Sequence, residues 1–161
     1  MKKYIKEAVP YIVIIIFVIL LRTFIVTPVR VSGTSMDPTL EEGEIMLLNK
    51  LSDIERNDIV VLNLNTYDGY LIKRVIGMPG ETIEYENGNL FINGKKYKDK
   101  FNDGHTEDFD KIKLADDEYF VMGDNRMWSK DSRTFGPVKA SSIDGETKIV
   151  IFPFNKVGKV K

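Results

Sequence analysis

In Thr82-Ile83-Glu84-Tyr85-Glu86-Asn87-Gly88-Asn89-Leu90-Phe91-Ile92-Asn93-Gly94, two short apolar runs alternate with two Asn-Gly pairs. The runs, Thr82–Tyr85 and Leu90–Ile92, are rich in apolar, aromatic and β-branched residues. Asn-Gly favours the tight turn of a β-hairpin, because both residues accept a positive φ angle. This part of the chain therefore predicts consecutive antiparallel strands.

Short runs of the same kind recur on both sides of this stretch, separated by turn residues, which is typical of strands. No amphipathic helical pattern lies among them, and Phe101–Glu118 is acid-rich and irregular, which predicts a solvated loop. The sequence thus predicts a mainly β domain, built as a barrel or a sandwich. The predicted strands are Glu44–Asn49, Asp58–Leu62, Tyr70–Ile76, Thr82–Tyr85, Leu90–Ile92, Glu118–Met122 and Lys148–Phe152.

A long apolar segment, Ala8–Val26, precedes the predicted β domain. Its length is close to the ~20 residues that a membrane-spanning helix needs. Pro10 is expected in the first turn of this helix, where proline is tolerated, and Arg22 is close enough to the far end to reach the membrane surface. The segment therefore predicts a transmembrane helix.

A cleaved secretory signal is the alternative, since it has the same basic start and apolar centre. Against it, the apolar run is long, and Thr27-Pro28-Val29-Arg30 follows instead of a small-x-small cleavage site. The lysines that precede the run, Lys2, Lys3 and Lys6, favour a cytoplasmic N-terminus. We therefore expect a cytoplasmic N-terminus (1–7), a single anchor (8–26) and an extracytoplasmic domain (27–161).

Composition excludes several classes of function. The 161 residues carry a net charge of −1, which gives no argument for nucleic-acid binding. Without cysteine there are no disulfides and no thiolate chemistry, and the single histidine, His105, lies in a polar, loop-like stretch. A histidine-based triad and a multi-histidine metal site are therefore not expected, and no cofactor is predicted. The basic C-terminal end, Lys156–Lys161, is expected to be a solvated tail, with contact to anionic lipid as the alternative.

Ser35 lies shortly after the apolar segment, in Val31-Ser32-Gly33-Thr34-Ser35-Met36-Asp37-Pro38-Thr39-Leu40. Gly33 and Pro38 predict an irregular turn, in which a backbone N–H can point at a substrate carbonyl. Serine is also an ordinary turn residue, so its position alone does not separate a nucleophile from a structural serine.

Lys73 lies within the predicted strand Tyr70–Ile76. On a strand Leu71, Lys73 and Val75 share one face, while Arg74 belongs to the other, so one of two adjacent cations is expected on the buried face. A buried lysine can lose its proton and act as a base, whereas arginine cannot. The alternative is an exposed Lys73 on a rim of the domain.

A third segment, Gly123–Val138, follows the predicted strand Glu118–Met122 and is dense in hydrogen-bonding and oppositely charged residues. It fits an ordinary loop held by Asp–Arg pairs. It also fits a functional loop beside a rigid strand.

Together, these segments resemble the type I bacterial signal peptidases, membrane-anchored serine/lysine proteases, in the small form typical of Gram-positive bacteria. Ser35-Met36-x-Pro38-Thr39-Leu40 is similar to the nucleophile motif of that family, and Lys73-Arg74-Val75-Ile76-Gly77-x-Pro79-Gly80 to its general-base motif. Gly123-Asp124-Asn125-Arg126, with Ser129 and Asp131-Ser132-Arg133, is similar to its third signature. The resemblance covers nearly the whole chain, and the three motifs follow the anchor in the family's order.

The resemblance implies a role for each matching residue. Ser35 would attack the scissile carbonyl, a neutral Lys73 would take its proton, and Ser129 would hydrogen-bond and orient the lysine. The side chains that would brace the site are Asp124, Arg126, Asp131 and Arg133. Met36 and the apolar residues around Ile72 and Val75 would line shallow pockets for small side chains at the first and third residues before the cut.

Gly33 marks a departure from part of the family, whose members carry a serine there that assists the oxyanion hole. The main-chain N–H of Ser35 would still donate to the oxyanion, but no side-chain donor is expected at Gly33, so backbone or water must replace that hydroxyl. Gly33→Ser is expected to be tolerated if the φ angle of the glycine is accessible to serine.

The implied function is cleavage of N-terminal signal peptides from secreted preproteins at the outer face of the membrane. The implied partners are preproteins and the lipid bilayer; the sequence does not indicate an oligomeric state. One alternative is an inactive membrane-tethered binding homologue, which should lack Ser35 or Lys73. Another is a Ser/Lys protease that cuts itself or a regulator, but Val26-Thr27-Pro28-Val29 lacks the paired small residues of a cleavable flank.

Overall fold

The computed structural model of the chain describes residues 2–101 and 106–160, with side chains from Glu7 onward. His105 lies outside the described residues. The fold is mainly β, as the sequence predicts: twelve strands follow one long N-terminal helix in the described part of the chain. The elements are α1 (Lys2–Phe24), β1 (Val26–Arg30), β2 (Ile45–Asn49), β3 (Ile59–Asn63), β4 (Tyr70–Gly77), β5 (Thr82–Glu86), β6 (Asn89–Ile92), β7 (Lys95–Tyr97), β8 (Phe109–Lys113), β9 (Glu118–Met122), α2 (Ser132–Phe135), β10 (Val138–Lys139), β11 (Ile143–Phe152) and β12 (Gly158–Lys159).

Helix α1 is long and apolar enough to cross a membrane, and its part Glu7–Phe24 is not buried against the rest of the protein. It differs from the predicted anchor in two ways. Pro10 lies inside the helix rather than in its first turn, and Val26 already belongs to β1. The helix ends at Phe24 because side chains satisfy carbonyl oxygens of its last turn. Thr27 Oγ1 and Lys50 Nζ donate to two of these oxygens, at 2.9 and 3.0 Å.

The larger sheet has eight antiparallel strands in the order β1-β2-β11-β3-β4-β9-β10, with β12 added to β11. β1 pairs with β2 from Val26↔Asn49 to Arg30↔Ile45, which fixes the end of the helix to the sheet. β1 was not among the predicted strands, and β11 begins at Ile143 rather than Lys148. β1 and the first half of β11 are paired with strands from elsewhere in the chain, so neither segment shows in its own local pattern.

The smaller sheet has the order β7-β6-β5-β8, and the two Asn-Gly turns join its first three strands as predicted. β8 lies within 101–118, so the prediction of a solvated loop is wrong for that part. In β8, Phe109 and Ile112 pair with Tyr85 and Ile83 of β5. The residues around Phe109 and Ile112 are charged, so the composition of the segment as a whole did not indicate a strand.

The C-terminal end is fixed to the sheet rather than a free tail, although Lys156, Val157 and Lys159 remain exposed to solvent as predicted. β12 pairs with β11 through Ile149↔Lys159 and Val150↔Gly158. Lys156 Nζ forms ion pairs with Glu41 and Glu44, at 2.6 and 2.9 Å. These contacts hold the end of the chain against the segment that contains Ser35.

Candidate active site

Ser35 lies in the loop between β1 and β2, and backbone hydrogen bonds close this loop at its base. Val31 N donates to Glu44 O at 2.8 Å, and Gly43 N donates to Val31 O at 3.0 Å. The carbonyl of Ser35 accepts a hydrogen bond from Asn125 N at 3.1 Å. The loop is therefore fixed at its base and at Ser35 itself.

Lys73 lies in the middle of β4, and its side chain reaches Ser35. Its Nζ donates to Ser35 Oγ at 2.8 Å and to Ile72 O at 3.0 Å. The chain thus brings together the two residues that the sequence analysis singled out as nucleophile and base, although 38 positions separate them. A hydroxyl and an amine at this distance have the geometry needed for direct proton transfer.

Both adjacent cations of β4 are buried, whereas the strand pattern predicted that only one would be. Lys73 is 2% exposed and Arg74 is 4% exposed. On the Lys73 face, β4 contributes Val75 to an apolar cluster that also contains Val60 and Val121. The Arg74 face is covered as well, so neither side of β4 is a solvent face.

Burial lowers the pKa of Lys73 to about 8, while the charge of the Asp131 carboxylate acts in the opposite direction. Desolvation penalises the ammonium form more than the neutral amine, which is why it dominates. A pKa near 8 leaves a sizeable neutral fraction at mildly alkaline pH. Lys73 can therefore accept a proton under conditions in which an exposed lysine cannot.

Asp131 organises the loop beside this pair. It is fully buried, accepts from Gly123 N at 3.0 Å and caps the short helix α2 by accepting from Arg133 N. The Arg133 side chain donates to Asp131 from Nε at 2.9 Å and to Arg126 O at 2.7 Å. These contacts support the segment from inside and touch neither Ser35 Oγ nor Lys73 Nζ.

Asp124 pairs with Arg74, a contact that the sequence analysis missed. Arg74 donates from Nε and Nη2 to the two oxygens of Asp124, at 2.8 and 2.6 Å, and stacks on the Phe101 ring at 3.5 Å. One sequence signal could have indicated this pair. Arg74 directly follows Lys73 on a strand, and an arginine buried there needs a carboxylate partner.

Arg126 likewise finds its carboxylate partner outside the third motif. Its Nη2 donates to Asp99 at 3.1 Å, and its Nη1 donates to Thr106 at 2.9 Å. No pattern around Asp99 indicated this partner. In residues 2–101 and 106–160, no group of three or more His, Cys, Asp or Glu side chains is arranged to hold a metal ion.

Ser129 lies beside the pair, but the hydrogen bond to Lys73 that the resemblance implies is not formed. Its buried Oγ has no hydrogen-bond partner among the described residues, and it lies next to Gly123 and the carbonyl of Ser35. Lys73 Nζ uses two of its three possible donor positions, on Ser35 and Ile72. Catalytic hydrogen bonds are often open without substrate, so the orienting role stays a prediction.

Ser129→Ala is expected to slow cleavage by between about 10-fold and about 100-fold, less than the loss of Lys73, because it only misorients the amine. The measurement is kcat/KM on a preprotein substrate, with the exposed Ser141→Ala as control. An unchanged rate, or a loss as large as that of a Lys73 variant, would contradict an orienting role.

Gly33 has a φ angle of +79°, in the left-handed region. No atom lies within 4 Å of the position that a Cβ would take, so space does not limit substitution there. The backbone conformation does, because serine rarely adopts this φ. The condition on which Gly33→Ser was expected to be tolerated is not met.

A cleft of about 450 Å³ lies between β1 and the start of β4, and it reaches Ile72, the residue before Lys73. Ile72 lines it, together with Ser32 and apolar residues of its floor such as Leu48 and Val61. Met36 and Val75, also expected to line a substrate pocket, are fully buried in the core instead. Met36, the residue next to the nucleophile, packs in the same core cluster as Leu40 and Met46, which removes its side chain from solvent.

Two strand edges that face this cleft lack a partner strand. In the described part of the chain, β1 is the last strand of its sheet and pairs only with β2. β4 pairs with β9 only from Arg74 onward, which leaves one edge of Tyr70–Ile72 without a neighbouring strand. Such edges offer backbone N–H and C=O groups to an extended peptide.

The sequence matches the family described as "Signal peptidase, peptidase S26" over residues 1–152. It is 40% identical to a signal peptidase I of Bacillus amyloliquefaciens, over 93% of this chain and 89% of that protein. It is 41% identical to the signal peptidase I S of Bacillus subtilis strain 168, over 98% and 95%. The crystal structure of a signal peptidase I from Enterococcus faecalis V583 aligns with a TM-score of 0.54 and 33% identity, covering 59% of this chain and 97% of that one. The chain therefore belongs to the signal peptidase family, peptidase S26.

Proposed function

We propose that this protein cleaves N-terminal signal peptides from secreted preproteins at the outer face of the membrane, with Ser35 as nucleophile and Lys73 as general base. The observation that carries the proposal is the 2.8 Å hydrogen bond between Lys73 Nζ and Ser35 Oγ. The amine that makes this hydrogen bond is that of Lys73, which is buried and has a pKa of about 8. Membership of the signal peptidase family supports the substrate class.

The reaction follows from these two groups. Neutral Lys73 takes the proton of Ser35 as Oγ attacks the scissile carbonyl, and the main-chain N–H of Ser35 stabilises the oxyanion. The lysine ammonium then protonates the leaving amine, which is the new N-terminus of the mature protein. Water, deprotonated by Lys73, attacks the ester on Ser35, and the proton returns to Ser35 Oγ as the signal peptide leaves.

The cleft would bind the residues before the cut as an added strand. The unpaired edges of β1 and of Tyr70–Ile72 supply backbone hydrogen bonds to an extended peptide. The cleft includes Thr27, only a few residues beyond the end of α1 at Phe24. A preprotein held in the membrane by its apolar segment would thus meet the site at high effective concentration.

The two alternative functions are not favoured. An inactive binding homologue gives no reason for a buried lysine hydrogen-bonded to a serine hydroxyl. For self-cleavage, the flank after the anchor would have to lie in the cleft. That flank is β1, which is paired along its length with β2 and forms a wall of the cleft.

The proposed function is tested by incubating the purified full chain with a preprotein and sequencing the new N-terminus of the product. A single cut after the signal peptide is expected, with small residues at the first and third positions before it, and no cut with a Ser35→Ala variant. Cleavage at scattered positions, or equal cleavage by the variant, would contradict the proposal.

We also expect a single membrane span with the C-terminal domain outside. The lysines before α1 favour a cytoplasmic N-terminus. Within residues 2–101 and 106–160, α1 is the one helix long and apolar enough to span a membrane. Protease added to intact cells without their wall should digest residues 27–161 and spare a cytoplasmic marker. Full protection of that region would contradict this topology.

A further inference from the structure

A second cavity, of about 360 Å³, lies at the loop that follows β9. Along β4, the residues before Lys73 border the cleft, whereas Arg74 pairs with Met122 of β9. The loop that follows β9 forms the second cavity, and the two cavities share no lining residue among those described. The second cavity is lined by Glu107, Arg126, Met127, Ser129, Arg133 and Thr134.

The loop that carries Met127 and Trp128 is fixed directly against the nucleophile's loop. Asn125 N donates to Ser35 O at 3.1 Å, and Asn125 Nδ2 donates to Thr34 O at 3.0 Å. The loop thus borders the point at which a bound peptide would be cut.

Met127 and Trp128 point outward from this loop, with 61% and 74% of their surface exposed. They belong to one turn of 3₁₀ helix whose first residue, Arg126, is buried and paired with Asp99. The buried arginine holds the turn, and its two apolar neighbours are left facing solvent. Adjacent exposed apolar side chains of this size beside a reactive centre indicate a binding surface.

We propose that Met127 and Trp128 form a subsite for the mature side of the substrate, and that this subsite favours an apolar or aromatic side chain shortly after the cut. The inference rests on the proposed function. A peptide whose residues before the cut fill the cleft, with its scissile carbonyl at Ser35, must leave on the far side of Lys73. Extended chain advances about 3.3 Å per residue, so the first two or three residues after the cut lie over this surface. Tryptophan offers a large contact area there at little cost in conformational entropy.

Trp128 is the only tryptophan of the chain, so its fluorescence reports this subsite directly. The full chain with Ser35→Ala, in detergent micelles, is titrated with three peptides that are identical up to the cut. One ends at the cut, one continues with alanines, and one carries leucine as the second residue after the cut. We expect a shift of emission to shorter wavelength with the leucine peptide and none with the peptide that ends at the cut. The same emission with all three would overturn the proposal.

A bilayer is the other apolar partner such a surface could meet, and the same reporter distinguishes it. The variant is reconstituted in vesicles of phosphatidylglycerol and phosphatidylethanolamine. We expect Trp128 emission close to that in micelles until the leucine peptide is added. A shift on reconstitution alone, with no further change on adding peptide, would assign the surface to lipid and overturn the proposal.

Cleavage kinetics give the second test. Trp128→Ala and Met127→Ala should each lower kcat/KM about tenfold for the leucine substrate and less than about twofold for the alanine substrate. Phe154→Ala, which removes an exposed aromatic side chain that lines neither cavity, should change neither value. Equal effects on both substrates, or none, would overturn the subsite. Failure of the unaltered protein to cut either substrate would instead count against the proposed function itself.

Discussion

Lys73→Arg is expected to lower the rate of preprotein cleavage by at least about a thousandfold while the protein still folds. Arginine keeps the positive charge, but its guanidinium does not give up a proton in proteins, so it cannot act as the base. The free amine of Lys73 is available because burial lowers its pKa to about 8, and the variant removes it. The measurement is cleavage of a preprotein by the purified variant, with circular dichroism to confirm folding.

Lys73→Met is the matched control for burial, because it keeps an unbranched side chain at this buried position without any charge. It should fold and be as inactive as Lys73→Arg. Ser35→Ala should lose a similar factor, and combining it with Lys73→Met should cost little more, since residues that act as one unit are not additive. A folded Lys73→Arg protein that cleaves at close to the native rate would contradict the dyad.

Asp124→Leu, which leaves Arg74 without its carboxylate, is expected to lower the free energy of unfolding by about 3–5 kcal/mol. Arg74 is almost fully buried and makes two hydrogen bonds to Asp124, so the single variant leaves a buried charge unpaired. Denaturant unfolding of the full chain in detergent measures the change. The rate of preprotein cleavage should decrease together with stability, because Lys73 lies next to Arg74 on β4.

The double variant Asp124→Leu with Arg74→Met provides the control. It removes both charges, so it should be more stable than the single variant despite carrying one more substitution. Asp117→Asn removes an exposed ion pair with Lys139 and should change stability by less than about 1 kcal/mol. If Asp124→Leu were as harmless as Asp117→Asn, the buried pair would not support the site.

Local signals were sufficient for much of the fold. The Asn-Gly turns around Leu90–Ile92 and the run Tyr70–Ile76 predicted strands because a hairpin or an apolar strand carries its pattern in its own residues. β8 and β12 carry too few apolar residues to form such a pattern. β8 becomes a strand through β5, which lies far back along the chain, and β12 through β11, the strand directly before it. Their pairing energy is tertiary, and single-sequence patterns do not contain it.

The candidate site also has features that the sequence predicted and features that it did not. Motif order singled out Ser35 and Lys73, which the fold brings within 2.8 Å. The partners of Asp124 and Arg126 were not predictable, because Asp124 pairs back to β4 and Arg126 pairs with Asp99. The residues that line the substrate pocket were also difficult to predict. Whether a side chain such as Met36 faces the cleft or the core depends on the conformation of the loop between β1 and β2.

The pH dependence of kcat/KM for preprotein cleavage tests the central claim most directly, because it reports the ionisation of the base in the free enzyme. Lys73 must be neutral to accept the Ser35 proton, so activity should rise with pH. We predict an increase of about tenfold per pH unit at low pH that levels off above a midpoint near pH 8, where burial places the pKa of Lys73. A profile that is flat from about pH 6 to about pH 9 would contradict a lysine base.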